Sequence, residues 1–310
     1  MHRMPILLPG TGTIGLARRI SRLCGIRVGL MECGCYADGE RYVEIADDVR
    51  NDDVFLLHAL SHPVNDSIIE LILASDASLR GLASSVTLVI PYMAYGRQDK
   101  HAHGARLPLS ARCMASLLSR AGARCIVAMD LHSSQMHGFF DTPTQLLSMR
   151  HAFVEDLLSH GRQPSDAVVS PDAGGAARAL HIARAAKLRL VVMDKRRLAA
   201  GAVELHGTPA GVDGLRCVVV DDIADSGNTL SEVSRSLLCQ GAASVTAYVT
   251  HTVSSCAPRR VATRGGAEEV VTSDTISHEP HALGPSTRIL SSAGIIARAI
   301  AMRPACQGQC

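Results

Sequence analysis

Tryptophan is absent from the 310 residues, and four phenylalanines and five tyrosines make up the whole aromatic complement. So few large rings suit a β-sandwich core with aromatic plugs less well than helices packed on strands. An excess of charge is lacking too. Against 31 basic side chains stand 29 acidic ones, a formal +2 with no run of like sign, so no footprint for nucleic acid or an anionic membrane is present. No apolar run reaches the roughly 18 residues of a membrane span. The opening MHRMPILLPGTG is too short in its apolar part for a secretory leader. A cytoplasmic location is therefore expected. The ten cysteines are scattered singly except for Cys33-x-Cys35 and the tail pair Cys306 and Cys310. Neither pair has the two-residue gap of a zinc knuckle, so they are read as small apolar fillers and surface thiols of a reducing compartment.

What is present is aliphatic. Hydrophobic residues reach 47% and charged ones only 19%, with Ala, Val, Leu and Ile dominant, a balance that suits helices packed on strands. Short apolar runs ending in polar or glycine-rich loops alternate with longer segments of helical spacing, the pattern of parallel βαβ units. Strands are expected at 5–8, 54–58, 85–90, 125–129, 167–170, 190–193, 217–220 and 244–250. Helices are expected at 14–23, 67–80, 110–121, 149–159, 174–186 and 230–240. Apolar at nearly every position, such strands should be covered on both faces. The fold class is thus α/β with mostly parallel sheets. The pattern runs through two domain lengths, with a boundary near 146–150 after the Phe139-Phe140-Asp141-Thr142-Pro143 turn.

The segment Val218-Val219-Val220-Asp221-Asp222-Ile223-Ala224-Asp225-Ser226-Gly227-Asn228-Thr229 is the most informative. It reads as a buried strand ending in two acids, followed by a small-polar loop that opens a helix. Asp221 and Asp222 can accept hydrogen bonds from vicinal ribose hydroxyls, while the amides of Asp225, Ser226, Gly227, Asn228 and Thr229 can hold a phosphate dianion. A solvated strand end with an Asp or Ser cap explains one acid and one hydroxyl, but not two adjacent acids after an apolar strand.

This stretch resembles the phosphoribosyl-diphosphate motif shared by the phosphoribosyltransferases and the ribose-phosphate pyrophosphokinases. Four further segments follow the order of the pyrophosphokinases. Tyr36-Ala37-Asp38-Gly39-Glu40 resembles the loop whose ring and two acids meet ATP, usually in a neighbouring subunit. Arg97 and Gln98, in Tyr95-Gly96-Arg97-Gln98-Asp99-Lys100, match further ATP contacts, and the planar fork of Arg97 suits phosphate oxygens. Asp130-Leu131-His132 places two ligands one residue apart, which on an extended segment puts both on one side of a Mg²⁺ ion. Asp172-Ala173-Gly174-Gly175 resembles the pyrophosphate loop, with Asp172 also helping the metal. In Asp194-Lys195-Arg196-Arg197, Lys195 and Arg197 match the family's catalytic cations. The loop sequence Ser226-Gly227-Asn228-Thr229 carries its glycine one place away from the Thr-x-Gly-Thr of many members.

The resemblance spans about 5–300. It implies two doubly wound phosphoribosyltransferase-like domains, 1–147 and 148–291, the first completed by a C-terminal helix within 292–310. It also implies transfer of a diphosphate from ATP to ribose 5-phosphate, Mg²⁺ as cofactor, and a dimer-based homo-oligomer with neither nucleic acid nor membrane as partner. Two alternatives are a catalytically silent regulatory relative and a phosphoribosyltransferase that consumes the diphosphate sugar. A kinase moving only the γ-phosphate is a third.

Overall fold

The structure, a computed structural model, describes residues 5–101, 106–159, 167–197, 203–206 and 211–302, with 194–197 and 203–206 described by their backbone. The chain divides into two units. One comprises Met1–Ser148, Thr275–Ser277 and Ser292–Cys310, the other Met149–Asp274 and His278–Ser291.

In the first unit the elements run β1 (Pro5–Pro9), α1 (Ile14–Cys24), β2 (Arg27–Val28), β3 (Met31–Cys35), β4 (Arg41–Ile45), β5 (Asp53–Leu57), α2 (Val64–Arg80), β6 (Ser85–Ile90), α3 (Ser110–Ser119), β7 (Cys125–Met129) and β8 (Thr144–Leu147). Six strands form one all-parallel sheet in the order β2-β1-β5-β6-β7-β8. All five residues of β7 are buried, as are Val86 to Ile90 of β6. Each fully buried Val, Leu or Ile contributes about 1.5–3 kcal/mol. On α1, Leu16, Ala17 and Ile20 are buried one helical turn apart. The last helix, Ala293–Ala301, packs on α1 and so joins this unit. Residues 303–310, with Cys306 and Cys310, lie outside the described residues.

β3 and β4 stand apart from that sheet as an antiparallel hairpin. The sequence reading had no strands here, because Met31–Cys35 and Arg41–Ile45 lack an apolar run and alternate between half-buried and exposed residues.

The second unit repeats the parallel design with α4 (Arg150–Ser159), β9 (Ala167–Ser170), α5 (Ala176–Ala186), β10 (Arg189–Val192), β11 (Asp194–Arg197), β12 (Val203–His206), β13 (Arg216–Ala224), α6 (Asn228–Cys239), β14 (Ser244–Thr252), α7 (Cys256–Gly265), β15 (Glu269–Ser273) and β16 (Thr287–Leu290). Its sheet runs β10-β9-β13-β14-β15-β16, all parallel, while β11 and β12 form a separate antiparallel hairpin. The core between β9, β13, β14, α6 and α7 is filled by small aliphatics such as Val169, Val219, Ala247 and Val261. Across the far end of the sheet, Arg288 of β16 reaches Asp156 of α4 through both terminal nitrogens and Glu269 of β15 through Nε at 2.8 Å. The hydroxyl of fully buried Tyr248 donates to Asp156 Oδ2 at 2.6 Å.

Candidate active site

The β3–β4 turn is built by its own sequence. Gly39 has φ +99, in the region that favours glycine, and Glu40 N donates to Asp38 Oδ1 at 3.1 Å. Tyr36, Asp38 and Glu40 are all exposed, and the Tyr36 ring lies 5.0 Å from that of Tyr42. A β-carbon at Gly34 would collide with the Tyr42 ring, so a glycine is required for this ring to lie across the strand.

Beneath the hairpin is a charged group that the sequence reading left out. Glu70 of α2 is 2% exposed and accepts from His58 Nε2 at 3.0 Å and from the Arg41 guanidinium at the base of β4. Burial pushes its pKa up, but the hydrogen bonds from His58, Thr11 and Arg41, with the His58 charge, lower it from 4.5 to about 2. Gly10 leaves room for this arrangement, since a β-carbon there would strike the His58 ring.

After β6, the loop Pro91–Lys100 leaves the sheet. Arg97 and Gln98 are exposed, and between that loop and the next lies Asp99, 7% exposed, which accepts from Gln135 Nε2 at 3.1 Å. Burial raises its pKa, yet hydrogen bonds from Ser133 and Gln135 and the nearby His132 bring it below the ordinary carboxylate value. Asp99 thus ties the Arg97–Gln98 loop to the segment after β7 that carries Asp130 and His132. It lay inside a quoted motif without a role.

Asp130 corrects one expectation. It adopts φ +38, so the chain turns at the end of β7 and does not continue extended. The same-side argument from strand alternation therefore fails between Asp130 and His132. A left-handed aspartate costs on the order of 1 kcal/mol. Here it is held by its own N–H donating to Leu147 O at 3.0 Å and by Ser148 Oγ donating to Asp130 Oδ1 at 2.6 Å. Among the described residues no three His, Cys, Asp or Glu side chains gather into a metal cage. Mg²⁺ ordinarily keeps several waters and takes one or two carboxylates together with substrate phosphates. Asp130 and His132 offer one carboxylate and one imidazole on the segment after β7, a donor set of that kind.

In the second unit, β9 ends in Ser170, whose hydroxyl donates to Asp172 O at 2.7 Å, and Asp172 Oδ1 accepts from Gly175 N at 3.0 Å. The loop is thereby drawn tight, and α5 begins at Ala176, after both Gly174 and Gly175. A β-carbon on Gly175 would lie 2.9 Å from Ser170 Oγ. Lys195 and Arg197 stand on β11, opposite Leu205 and Val203 of β12, and their side chains lie outside the described residues.

A second correction concerns β13. The acids do not end the strand, which runs on to Ala224 because β14 continues beside it, pairing Asp221 with Val249, Ile223 with His251 and Ala224 with Thr252. Asp222 is 5% exposed. Arg178 of α5 faces both acids, its Nη1 lying 3.2 Å from Asp222 Oδ1 and 3.7 Å from Asp221 Oδ1. Burial pushes the Asp221 pKa well above its ordinary value, the neighbouring Asp222 charge adds to this, and Arg178 opposes it. Arg178 also escaped the sequence reading, although its place one helical turn after Gly174-Gly175 was a usable signal.

The loop after β13 turns at Gly227, which has φ +77 and caps α6. A β-carbon there would lie 2.8 Å from the Ala257 carbonyl oxygen. The displaced glycine of the sequence therefore has a fixed structural use. The first turn of α6 carries no acidic residue and no side-chain cap, so its helix dipole is open to an anion.

Nearly the whole chain is similar to known proteins. Residues 6–122 match the model of the N-terminal domain of ribose phosphate pyrophosphokinase, and residues 141–280 match the phosphoribosyl transferase domain. Ribose-phosphate pyrophosphokinase of Maricaulis maris is 37% identical over 295 residues, 95% of each chain, and that of Mesorhizobium japonicum 38% identical over 296 residues, again 95% of each. The crystal structure of phosphoribosylpyrophosphate synthetase from Mycobacterium smegmatis superposes with a TM-score of 0.88 at 32% identity, covering 96% of this chain and 98% of that one.

Proposed function

The chain belongs to the ribose-phosphate pyrophosphokinase family and is a transferase of that class serving nucleotide biosynthesis, and from that premise we propose how its residues divide the work. The substrates are ATP and ribose 5-phosphate. The C1 hydroxyl of the sugar attacks the β-phosphorus, the bond from that phosphorus to the oxygen bridging it to the α-phosphorus breaks, AMP leaves, and the hydroxyl proton is released.

Asp221 and Asp222 take the ribose hydroxyls, and the amides from Asp225 to Thr229 take the 5-phosphate. One observation carries this reading. Two adjacent acids, Asp222 being 5% exposed, face the Arg178 guanidinium on a strand that leads through a short loop into a helix whose first turn carries no acidic residue. Vicinal hydroxyls supply donors to the acids, and a dianion satisfies the helix start.

Tyr36, Asp38, Glu40, Arg97 and Gln98 bind ATP. The exposure of the first three suits completion of a neighbouring copy's site, hence a dimer-based homo-oligomer. Asp172, Gly174 and Gly175 receive the diphosphate. Asp130 and His132 in the first unit would hold Mg²⁺, which when bound neutralises phosphate charge, and Asp172 in the second unit is a further candidate Mg²⁺ ligand. Lys195 and Arg197 close over the transferred group and stabilise charge developing on the bridging oxygen. No helix of the described residues is long and apolar enough to cross a membrane, and a cytoplasmic site of action fits the substrates.

The test is AMP release from ATP, Mg²⁺ and ribose 5-phosphate, run on wild type and on Lys195→Ala after circular dichroism has verified its fold. AMP that requires the sugar and falls by orders of magnitude in the variant supports the assignment. ADP in place of AMP would show γ-transfer. A well-folded wild type that binds ATP without making AMP would be a regulatory relative.

A further inference from the structure

The proposed 5-phosphate loop is fastened from behind by α7, and one contact in that fastening is unexpected. Arg260 Nη1 donates to the Ser226 carbonyl at 2.7 Å and to Asn228 Oδ1 at 3.1 Å. The next carbonyl, that of Gly227, accepts from Ser231 Oγ at 2.7 Å and from Ser231 N at 3.0 Å. Two successive carbonyls of the loop are therefore tied to the scaffold.

The consequence follows from peptide geometry. The peptide joining Ser226 to Gly227 is trans, so its C=O and N–H lie in one plane and point in opposite directions. Anchoring the Ser226 carbonyl on Arg260 turns the Gly227 N–H away from α7. The same reasoning applied to the Gly227 carbonyl turns the Asn228 N–H away from Ser231. The Gly227 N–H and the Asn228 N–H, the latter 3.4 Å from Ser226 Oγ, then lie together at the N-terminal end of α6, where a phosphate group is proposed to sit. The close seating of Gly227 on Ala257 prevents the loop from sinking back toward α7.

We propose that Arg260 is a positioning residue for sugar phosphate. It holds the peptide plane that aims the loop's amides at the phosphate monoester dianion, and it sets a fixed positive charge behind them. This rests on the assignment of residues 225–229 as the 5-phosphate loop. Arg260 acts through the peptide and touches no reacting atom. Its removal should weaken binding of the phosphorylated sugar and spare the chemical step. No comparable effect is expected on ATP, because Arg260 contacts no residue assigned to the nucleotide.

The experiment compares wild type, Arg260→Ala, Arg260→Lys and Arg260→Gln by steady-state AMP release, and by the protection that ribose 5-phosphate gives against thermal unfolding. Arg260→Ala should raise the KM for ribose 5-phosphate about tenfold, the weight of one charge-assisted hydrogen bond. Its kcat should stay within about twofold and its KM for ATP unchanged, with thermal protection reduced in parallel. Arg260→Lys, which keeps the charge and one donor, should recover most of the loss, and Arg260→Gln, which keeps a donor alone, less of it. An unchanged KM for the sugar phosphate in Arg260→Ala would overturn the proposal. So would an equal rise in both KM values with a lowered melting temperature, which marks a merely structural residue. Absence of sugar-dependent AMP release in the wild type would sink the underlying assignment instead, a result distinct from either.

Discussion

Replacing Glu70 with glutamine keeps the shape of the side chain and deletes a charge on which His58, Thr11 and Arg41 converge. Because its folded pKa is depressed, the carboxylate contributes stability that is fully present above the unfolded value and is lost as pH falls toward the folded one. The span from 4.5 to about 2, at ~1.36 kcal/mol per pH unit, corresponds to about 3 kcal/mol at pH 7. By pH 3.5 the same linkage leaves about 2 kcal/mol. Tyrosine fluorescence in urea suits the measurement, since Tyr36, Tyr42, Tyr92 and Tyr95 lie in the first unit and only Tyr248 in the second. With a slope of ~2 kcal/mol per molar, the midpoint of Glu70→Gln should fall by about 1.5 M at pH 7. The gap to wild type should narrow on acidification. A gap under about 1 kcal/mol at neutral pH, or one that stays flat down to pH 3.5, would refute the view that this carboxylate is ionised and fully partnered.

Three further outcomes follow from the second unit. Arg178→Met removes the cation opposing protonation of Asp221, so the acid limb of kcat/KM for ribose 5-phosphate should move to higher pH; a superimposable pH profile would disprove the link. Gly227→Ala combines a left-handed backbone with a clash against Ala257 and should cost about 1–2 kcal/mol while raising the KM for the sugar; unchanged stability by calorimetry would contradict it. Arg288→Met takes the guanidinium away from Asp156, which keeps the Tyr248 hydroxyl, and from Glu269, and should destabilise the second unit by about 2 kcal/mol, read as a lower melting temperature with KM values unaffected.

The parallel sheets were legible because their strands are continuous aliphatic runs, Leu88 to Ile90 and Ile126 to Met129 for example, which only burial on both faces explains. The loops after β9 and β13 were legible from acids and glycines beside such runs. Other features depend on neighbours distant in sequence. β13 extends past its acids because β14 continues alongside, and Asp130 holds a left-handed turn because Ser148 and Leu147 brace it. Glu70 and Arg260 belong to no motif legible in the sequence, and Arg178 follows one without showing which acids it faces. Helical periodicity reports which face is turned inward, but not which carbonyl or carboxylate a long side chain will reach.

Numbered within their own units, the two sheets have one strand order, 2-1-3-4-5-6, and in each the antiparallel hairpin is inserted between the second and third sheet strands. The chain is one plan written twice, as expected of a duplicated ancestor. The copies have since diverged in what they place after the third strand. Where the second unit continues β13 through Asp221 and Asp222, the first ends β5 and places His58, whose ring turns to buried Glu70. A slot that in one copy is proposed to receive the sugar has in the other been closed by the protein's own side chains, and Arg41 links that closure to the hairpin above it.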